Sequence, residues 1–267
     1  MKTDGSKKVS IVTPVHNDSA FIRQTIDSVL AQTHKNWEML IVDDCSTDDS
    51  ASVIATYQDE RIRYFRNEKN MGAAYSRNRA LREAKGDYIA FLDGDDWWAP
   101  TKLERQLAFM EKLQIQFSCT AYYRCYENGP EGSNRPIVQA PWIIGKKLML
   151  KCDYVGCLTA MYDAKAIGLI QISPDIKKRN DYAIWLHVCQ KANCYFLSEP
   201  LAYYRVRKNS ISRVSGWKLL KHHQFLFKTE MHYGWFHSWF CALRNAYWAV
   251  KKKKEYVTNT PLDSVYC

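Results

Sequence analysis

Asp93, Asp95 and Asp96 follow directly on an apolar run, YIAFL at 88–92, and are themselves followed by Trp97 and Trp98. Carboxylates this close repel one another and resist desolvation, so solvent, a basic side chain or a metal ion must neutralise them. The i, i+2 spacing of Asp93 and Asp95 across Gly94 turns both carboxylates to one side of an extended chain. Hard oxygen donors at a strand end suit Mg²⁺ or Mn²⁺, ions that keep several waters and borrow phosphate oxygens from a substrate. Taken alone, the pattern is equally that of a solvated, helix-capping turn. A second pair, Asp43 and Asp44 in LIVDDCSTD, ends another apolar run. A carboxylate there is suited to accept hydrogen bonds from a base or ribose, whereas Ser46, Thr47 and Asp48 suit a helix cap.

The elements that must position these acids alternate. VSIVT (9–13), WEMLIVDD (37–44), IRYFRN (62–67) and YIAFLD (88–93) read as strands. Between them lie three helical patterns, one with Phe21, Ile22, Ile26, Val29 and Leu30 on one face behind a cap at Asp18 or Ser19, one through Val53 and Ile54, and one from Gly72 to Lys85. Strands and helices alternating at this spacing predict βαβ units, a mainly parallel sheet and right-handed crossovers, with ligands beyond the carboxyl ends of the strands. Both acidic pairs fall on that rim. A helix with Leu103, Leu107, Met110 and Leu113 follows, then strand patterns at QFSCTAYYRCYE, VGCLTAMY, CYFLSE and LAYYRV, a loop ENGPEGSNRP, and a helix starting at Asn180 or Asp181.

Composition narrows the class. The chain has 267 residues, 46% of them hydrophobic, enough for a large α/β core. The start, MKTDGSKK, leads into a strand rather than a signal-peptide core, and no uninterrupted apolar run is of membrane-spanning length, so the reading is a cytoplasmic protein that neither enters the secretory route nor crosses a membrane. Nine cysteines without a CxxC pair predict reduced, mostly buried thiols. The net charge of +10 is concentrated between Gly216 and Lys254, where eight basic side chains face one acid, Glu230. That points to an anionic partner.

VSIVTPVHN, QTHKNWEMLIVDDCSTDDS, NMGAAYSRNRAL and GDYIAFLDGDDWWAPTKLE together resemble, in register over about 8–105, the nucleotide-sugar half of the inverting family 2 glycosyltransferases, which have the GT-A fold and include bacterial surface-polysaccharide enzymes of the O-antigen and lipopolysaccharide type. The resemblance implies a Rossmann-like, mainly parallel sheet flanked by helices, in a domain over 1–214 divided into a donor half (8–105) and an acceptor half (106–214), with a helical tail over 215–267. It assigns Pro14, His16, Asp43 and Asp44 to the base and ribose pocket, Arg77 to the diphosphate, and Asp93, Gly94 and Asp95 to the donor, with Asp93 and Asp95 bridging to Mn²⁺ or Mg²⁺. Asp96, Trp97 and Trp98 are expected near the acceptor. KKRNDYAIWLHV (177–188) resembles the segment that supplies the catalytic base, which makes Asp181 that base. YYRVRKNSIS (203–212) resembles the closing segment, where a histidine two residues after the arginine often helps hold metal or diphosphate. Arg207 stands at that place, and Arg205 and Arg207 are suited instead to phosphate oxygens. The implied donor is a nucleotide sugar, with uridine expected, and the implied acceptor a glycan or a polyprenyl-diphosphate-linked glycan.

The tail, GWFHSWFCALRNAYWAVKKKK (234–254), joins aromatic residues to a lysine cluster. As a helix it predicts docking on an anionic membrane surface, peripheral at the inner face of the cytoplasmic membrane, with Trp235, Trp239, Leu243 and Ala246 or Tyr247 on one face; the alternative is a helix packed on the catalytic domain with a solvated end. Nucleic acid is not expected as a partner. The competing readings are an aspartate- and metal-dependent phosphoryl-transfer enzyme, which lacks the nucleophilic Asp with supporting Thr and Lys, and a non-enzymatic basic binding protein, which leaves both acidic pairs unexplained.

Overall fold

The computed structural model describes residues 7–126, 135–207 and 216–258. Its first third runs β1 (Val9–Val15), α1 (Ile22–Leu30), β2 (Trp37–Asp43), α2 (Ser50–Ile54), β3 (Ile62–Arg66), α3 (Ala73–Glu83) and β4 (Tyr88–Phe91). All four strands are parallel, in the order β3-β2-β1-β4, with Val15 level with Asp43 and Val12 level with Phe91. This register brings the ends of β1, β2 and β4 to one rim.

Apolar residues line both faces because both are covered. Val12, Leu40, Ile89 and Phe91 face one core and Ile11, Met39, Ile41 and Ala90 the other, as the period of two along a strand requires. The helix expected to be capped by Asp18 or Ser19 begins later, at Ile22, and has no side-chain cap. The Asp18 carbonyl accepts the amides of Phe21 (2.8 Å) and Ile22 (2.9 Å), which frees its carboxylate to turn elsewhere.

The second part adds β5 (Trp97–Trp98), α4 (Lys102–Leu113), β6 (Phe117–Tyr126), β7 (Ile137–Val138), β8 (Ile143–Ile144), α5 (Lys146–Met149), β9 (Met161–Asp163), α6 (Ala164–Ile167), α7 (Asn180–Val188) and β10 (Cys194–Val206). The sheet continues through antiparallel β9 and β6, so it is mixed beyond β4, and β10 runs parallel to β6. Two sequence expectations change here. VGCLTAMY is not one strand: a single 3₁₀ turn at Cys157–Thr159 precedes β9, closed by the Thr159 amide and hydroxyl, both donating to the Gly156 carbonyl. CYFLSE and LAYYRV are one strand, irregular on either side of Pro200, which has no amide to give the ladder. Most of the ENGPEGSNRP loop, and the KNSIS of the closing segment, lie outside the described residues.

The tail folds as α8 (Trp217–Glu230), α9 (Trp235–Glu255) and β11 (Val257–Thr258), the last pairing antiparallel with β7. Polar contacts hold it. Glu230 accepts the Ser173 amide (2.7 Å) and pairs with His187 (2.8 Å), Asn245 donates to the Tyr182 hydroxyl (3.0 Å), and Lys252 donates to the Asp153 carbonyl (2.6 Å). No helix among the described residues is long and apolar enough to cross a membrane. The described cysteines are free thiols, and most are buried, as packing residues.

His223 of α8 is buried against Tyr182, and burial, helped by the charges of Arg179 and His222, pushes its pKa down from 6.5 to about 3. An unfolded chain therefore binds a proton at this position that the native one does not, and the resulting stability is present above pH 6.5 and lost as pH falls from there toward 3. His223→Phe is expected to flatten the acid side of the stability profile in this window, checked by urea unfolding at a series of pH values.

Candidate active site

Beyond the ends of β1, β2 and β4 lies a cavity of about 440 Å³. Its wall is built from separate pieces of chain: Pro14 to Asp18 at the end of β1 and just past it, Asp44 after β2, residues between Asn70 and Arg77 before and at the start of α3, Asp93 to Asp95 after β4, Lys177 to Asp181 before and at the start of α7, Tyr204 and Arg207 from β10 and the residue after it, and Leu219 from α8.

Asp44 is almost wholly buried, and its carboxylate is already engaged. It accepts the Asn67 side-chain amide (2.8 Å) and the backbone amides of Met71 (2.8 Å) and Gly72 (2.6 Å). Gly72 has φ +91°, a conformation that strains residues with a Cβ. Asp44 thus pins the loop that opens α3. His16 lies beside it. Its Nδ1 is 3.0 Å from the Asp44 carbonyl, which can only accept, so Nδ1 carries the proton and Nε2 is left to accept from the Asn70 amide at 3.0 Å. Asn17, Cys45 and Arg179 all have left-handed backbones at this rim, with φ of 55°, 59° and 61°. Non-glycine residues held this way cluster where a fold must aim groups at a ligand.

Arg77 is not an exposed helix charge. It is 5% exposed, and its guanidinium donates to Asp93, to the Asn180 side chain and to Cys157 Sγ (3.4 Å). It therefore ties α3, the turn after β4 and the start of α7 together. Burial works against its charge, but Asp93 and the neighbouring Asp181 outweigh that and hold its pKa above the ordinary arginine value. Asp93 is pushed up by burial, Arg77 pulls it back, and Asp95 and Asp181 push further.

Arg207 takes up the facing acids. Its Nη1 donates to Asp18 at 2.8 Å and to Asp95 at 3.0 Å. Asp18, 7% exposed, is pushed up to about 6, first by burial and then by the charge of Asp95, with the His16 amide and Arg207 opposing. A Cβ on Gly94 would come within 2.9 Å of the Asp18 carboxylate, so only glycine lets the two segments approach this closely. Asp18 was missed as a site residue because it reads as a helix cap. The signal available was its place just past the end of β1, on the same rim as the other acids. Lys177, Lys178 and Tyr204 also line the cavity without having been singled out.

Five expected site residues lie elsewhere. Asp43 has no exposed surface and does not line the cavity, because its carboxylate accepts the Ser46 amide (2.8 Å) and the Tyr64 hydroxyl (2.7 Å). Asp96 is buried and accepts the Arg205 amide (2.8 Å), and burial and its two acidic neighbours raise its pKa strongly. Trp98 is 2% exposed, with Nε1 donating to the Leu158 carbonyl (2.8 Å) and Lys102 Nζ 3.9 Å above its ring, so it has no face to offer an acceptor. Trp97 is half-buried, stacked on Tyr203 at 5.2 Å and covered by Arg205 at 4.6 Å. Arg205 donates to the Asp95 carbonyl (2.8 Å) and to Gln24, supporting the acidic turn from outside. Pro14, His16, Asp44, Arg77, Asp93, Gly94, Asp95, Asp181 and Arg207 do share the cavity.

Among the described residues, no three His, Cys, Asp or Glu side chains form a ready metal-binding group. The donor chemistry nevertheless fits a hard divalent ion. Asp18 and Asp95 converge on one positive group, and such ions complete their shells with water and substrate phosphate.

Asp44→Asn should destabilise the fold by about 1–3 kcal/mol, since an amide cannot accept from all three donors. Thermal or urea unfolding checks this.

Comparison with known proteins shows the family and the fold. The model of the family "Glycosyl transferase family 2" matches residues 10–167. The chain is 40% identical over 254 residues, 94% of this chain and 99% of the relative, to the putative teichuronic acid biosynthesis glycosyltransferase TuaG of Bacillus subtilis. It is 38% identical over 208 residues, 76% of this chain and 79% of the relative, to the Escherichia coli enzyme named UDP-Glc:alpha-D-GlcNAc-diphosphoundecaprenol beta-1,3-glucosyltransferase WfaP. Staphylococcus aureus TarS (1–349) in complex with UDP-GlcNAc shares the fold with a TM-score of 0.68 at 19% identity, over 86% of this chain and 69% of that one. The mannosyltransferase PcManGT of Pyrobaculum calidifontis, in complex with GDP-Man and Mn²⁺, does so with 0.63 at 15%, over 98% and 78%. The chain belongs to glycosyl transferase family 2: it is a glycosyltransferase with a GT-A-like fold.

Proposed function

We propose that the enzyme moves a hexose or N-acetylhexosamine, with inversion, from a UDP-sugar to a hydroxyl of a lipid-diphosphate-linked glycan, and that Asp181 is the base. The observation that carries this reading is the meeting of Asp44, Asp93, Asp95 and Asp181, from two strand ends and one helix start, around a single cavity. The 38% identical E. coli relative, whose name states UDP-Glc as donor and a GlcNAc-diphosphoundecaprenol acceptor, supports the two substrate classes.

In this reading Pro14, His16 and the loop held by Asp44 receive the uridine, and Lys177 to Arg179 add positive charge to the cavity that takes the diphosphate. Asp95, with Asp18 beside it, would hold Mn²⁺ or Mg²⁺, which when bound stabilises the charge developing on the leaving diphosphate. Asp181 takes the proton of the acceptor hydroxyl as the bond to the anomeric carbon forms. Its position relative to the donor is set by Arg77, which grips Asp93 with one nitrogen and Asn180, next to the base, with the other. Asp181→Asn is expected to lower turnover by about 10²–10⁴-fold while leaving UDP-sugar binding within a few-fold. Near-normal turnover would remove Asp181 from this role.

The outer face of α9 supports a membrane-surface location. Its inward residues are small or polar, Ser238, Cys241, Ala242 and Asn245, whereas Phe236, Phe240, Leu243, Tyr247 and Val250, at spacings of four and three, face outward. Phe236 is 83% exposed and Tyr247 67%. Lys251, Lys253 and Lys254 continue the helix beyond them. An aromatic face that runs into a lysine cluster matches an anionic lipid surface. The aromatic surface also approaches the cavity: Trp235 contacts Trp239, Trp239 stacks on Trp217 at 5.1 Å, and Leu219, two residues on, is in the cavity wall. The triple change Phe236→Ser, Phe240→Ser and Tyr247→Ser should cut binding to phosphatidylglycerol vesicles roughly ten-fold or more. Unchanged co-sedimentation of the folded variant would exclude this face as the anchor.

A further inference from the structure

Arg207 bridges Asp18 and Asp95 through a single nitrogen, at 2.8 and 3.0 Å, inside the cavity wall. Its side chain is 29% exposed and the two carboxylates 10% and 24%, so this is a semi-enclosed ion pair rather than a loose surface contact. Asp93, the other acid of the turn, already has its own cation in Arg77. The guanidinium therefore holds the place where two carboxylate oxygens converge, which is also the place with the donor chemistry for a divalent ion. Two cations cannot share it: a few ångströms apart in a partly desolvated cavity, they repel one another strongly.

We propose that Arg207 is a resident cation that excludes the divalent ion from the empty enzyme and yields its place only when a nucleoside diphosphate arrives. This rests on the donor reading above. The exchange is neutral in kind. Arg207 gives up two carboxylate oxygens and gains diphosphate oxygens, for which a guanidinium is well shaped, and the ion takes Asp95 and Asp18. The ion and UDP then bind with strong mutual dependence, and neither is held well alone.

The test is direct Mn²⁺ binding to the full-length protein, read from the free-ion electron paramagnetic resonance signal with and without UDP. In the wild type, saturating UDP should tighten Mn²⁺ binding by well over ten-fold. Arg207→Met should bind Mn²⁺ without UDP roughly ten-fold more tightly than the wild type, with the UDP effect correspondingly smaller, whereas Arg207→Lys, which keeps the charge, should remain weak. Adding Asp95→Asn to Arg207→Met should abolish the gain, which locates the ion. Equal or weaker Mn²⁺ binding by a folded Arg207→Met protein overturns the proposal, as does a wild type whose Mn²⁺ affinity ignores UDP. If UDP fails to bind with or without the ion, the donor reading itself falls and takes this inference with it. UDP binding that is intact but indifferent to Arg207 rejects only the exchange.

Discussion

The guanidinium of Arg77 is the constraint on which the site depends. Buried where a charge is costly, it stays only because Asp93 and Asn180 satisfy it, and in doing so it fixes the distance between the turn after β4 and the start of α7. Those two segments carry the acids proposed for the donor and for the acceptor proton. Removing Asp93 would leave an uncompensated charge in the core and removing Asn180 a buried donor without its acceptor, so the geometry of the reaction is tied to the stability of the fold at this point. The aromatic packing beneath follows the same line, with Phe91 of β4 meeting Trp185 of α7 edge-on at 5.0 Å.

Charge in this cavity is arranged in pairs that leave little of it unanswered before any substrate arrives. Asp93 faces Arg77, Asp95 and Asp18 face Arg207, and Asp44 faces backbone and amide donors. An anionic donor entering such a site meets the added positive charge of Lys177 to Arg179 and also rearranges these partners. Recognition then depends on which arginine contacts the ligand can replace, and discrimination among nucleotide sugars rests on geometry as much as on attraction.

Much of the catalytic half was legible in the sequence because period and position say the same thing there. Continuous apolar strands ending in acids leave a parallel sheet with a charged rim as the consistent arrangement, and β1 to β4 and α3 lie close to where the patterns put them. What the sequence could not separate was which acid of an adjacent pair faces the cavity. Asp43 and Asp44 differ by one residue and therefore by one side of the strand end, and only the partners Ser46 and Tyr64 decide that Asp43 turns inward. Asp18 illustrates the opposite failure: a local capping pattern concealed a carboxylate that tertiary contacts aim at Asp95. The aromatic face expected of α9 is met by Trp235, Leu243 and Tyr247, which are exposed, and departs at Trp239, which is half-buried and stacks on Trp217, while the inward side of the helix carries small and polar residues.

The antiparallel pairing of β11 with β7 gives the last helices a different status from that of an appended anchor. A strand contributed from the far end of the chain closes an edge that β7 would otherwise expose, and Tyr256, packed edge-on against Tyr154, sits at that seam. The tail and the catalytic sheet are therefore packed as one unit. Such a tail cannot be exchanged for another by simple recombination at the boundary without also opening an edge of the sheet.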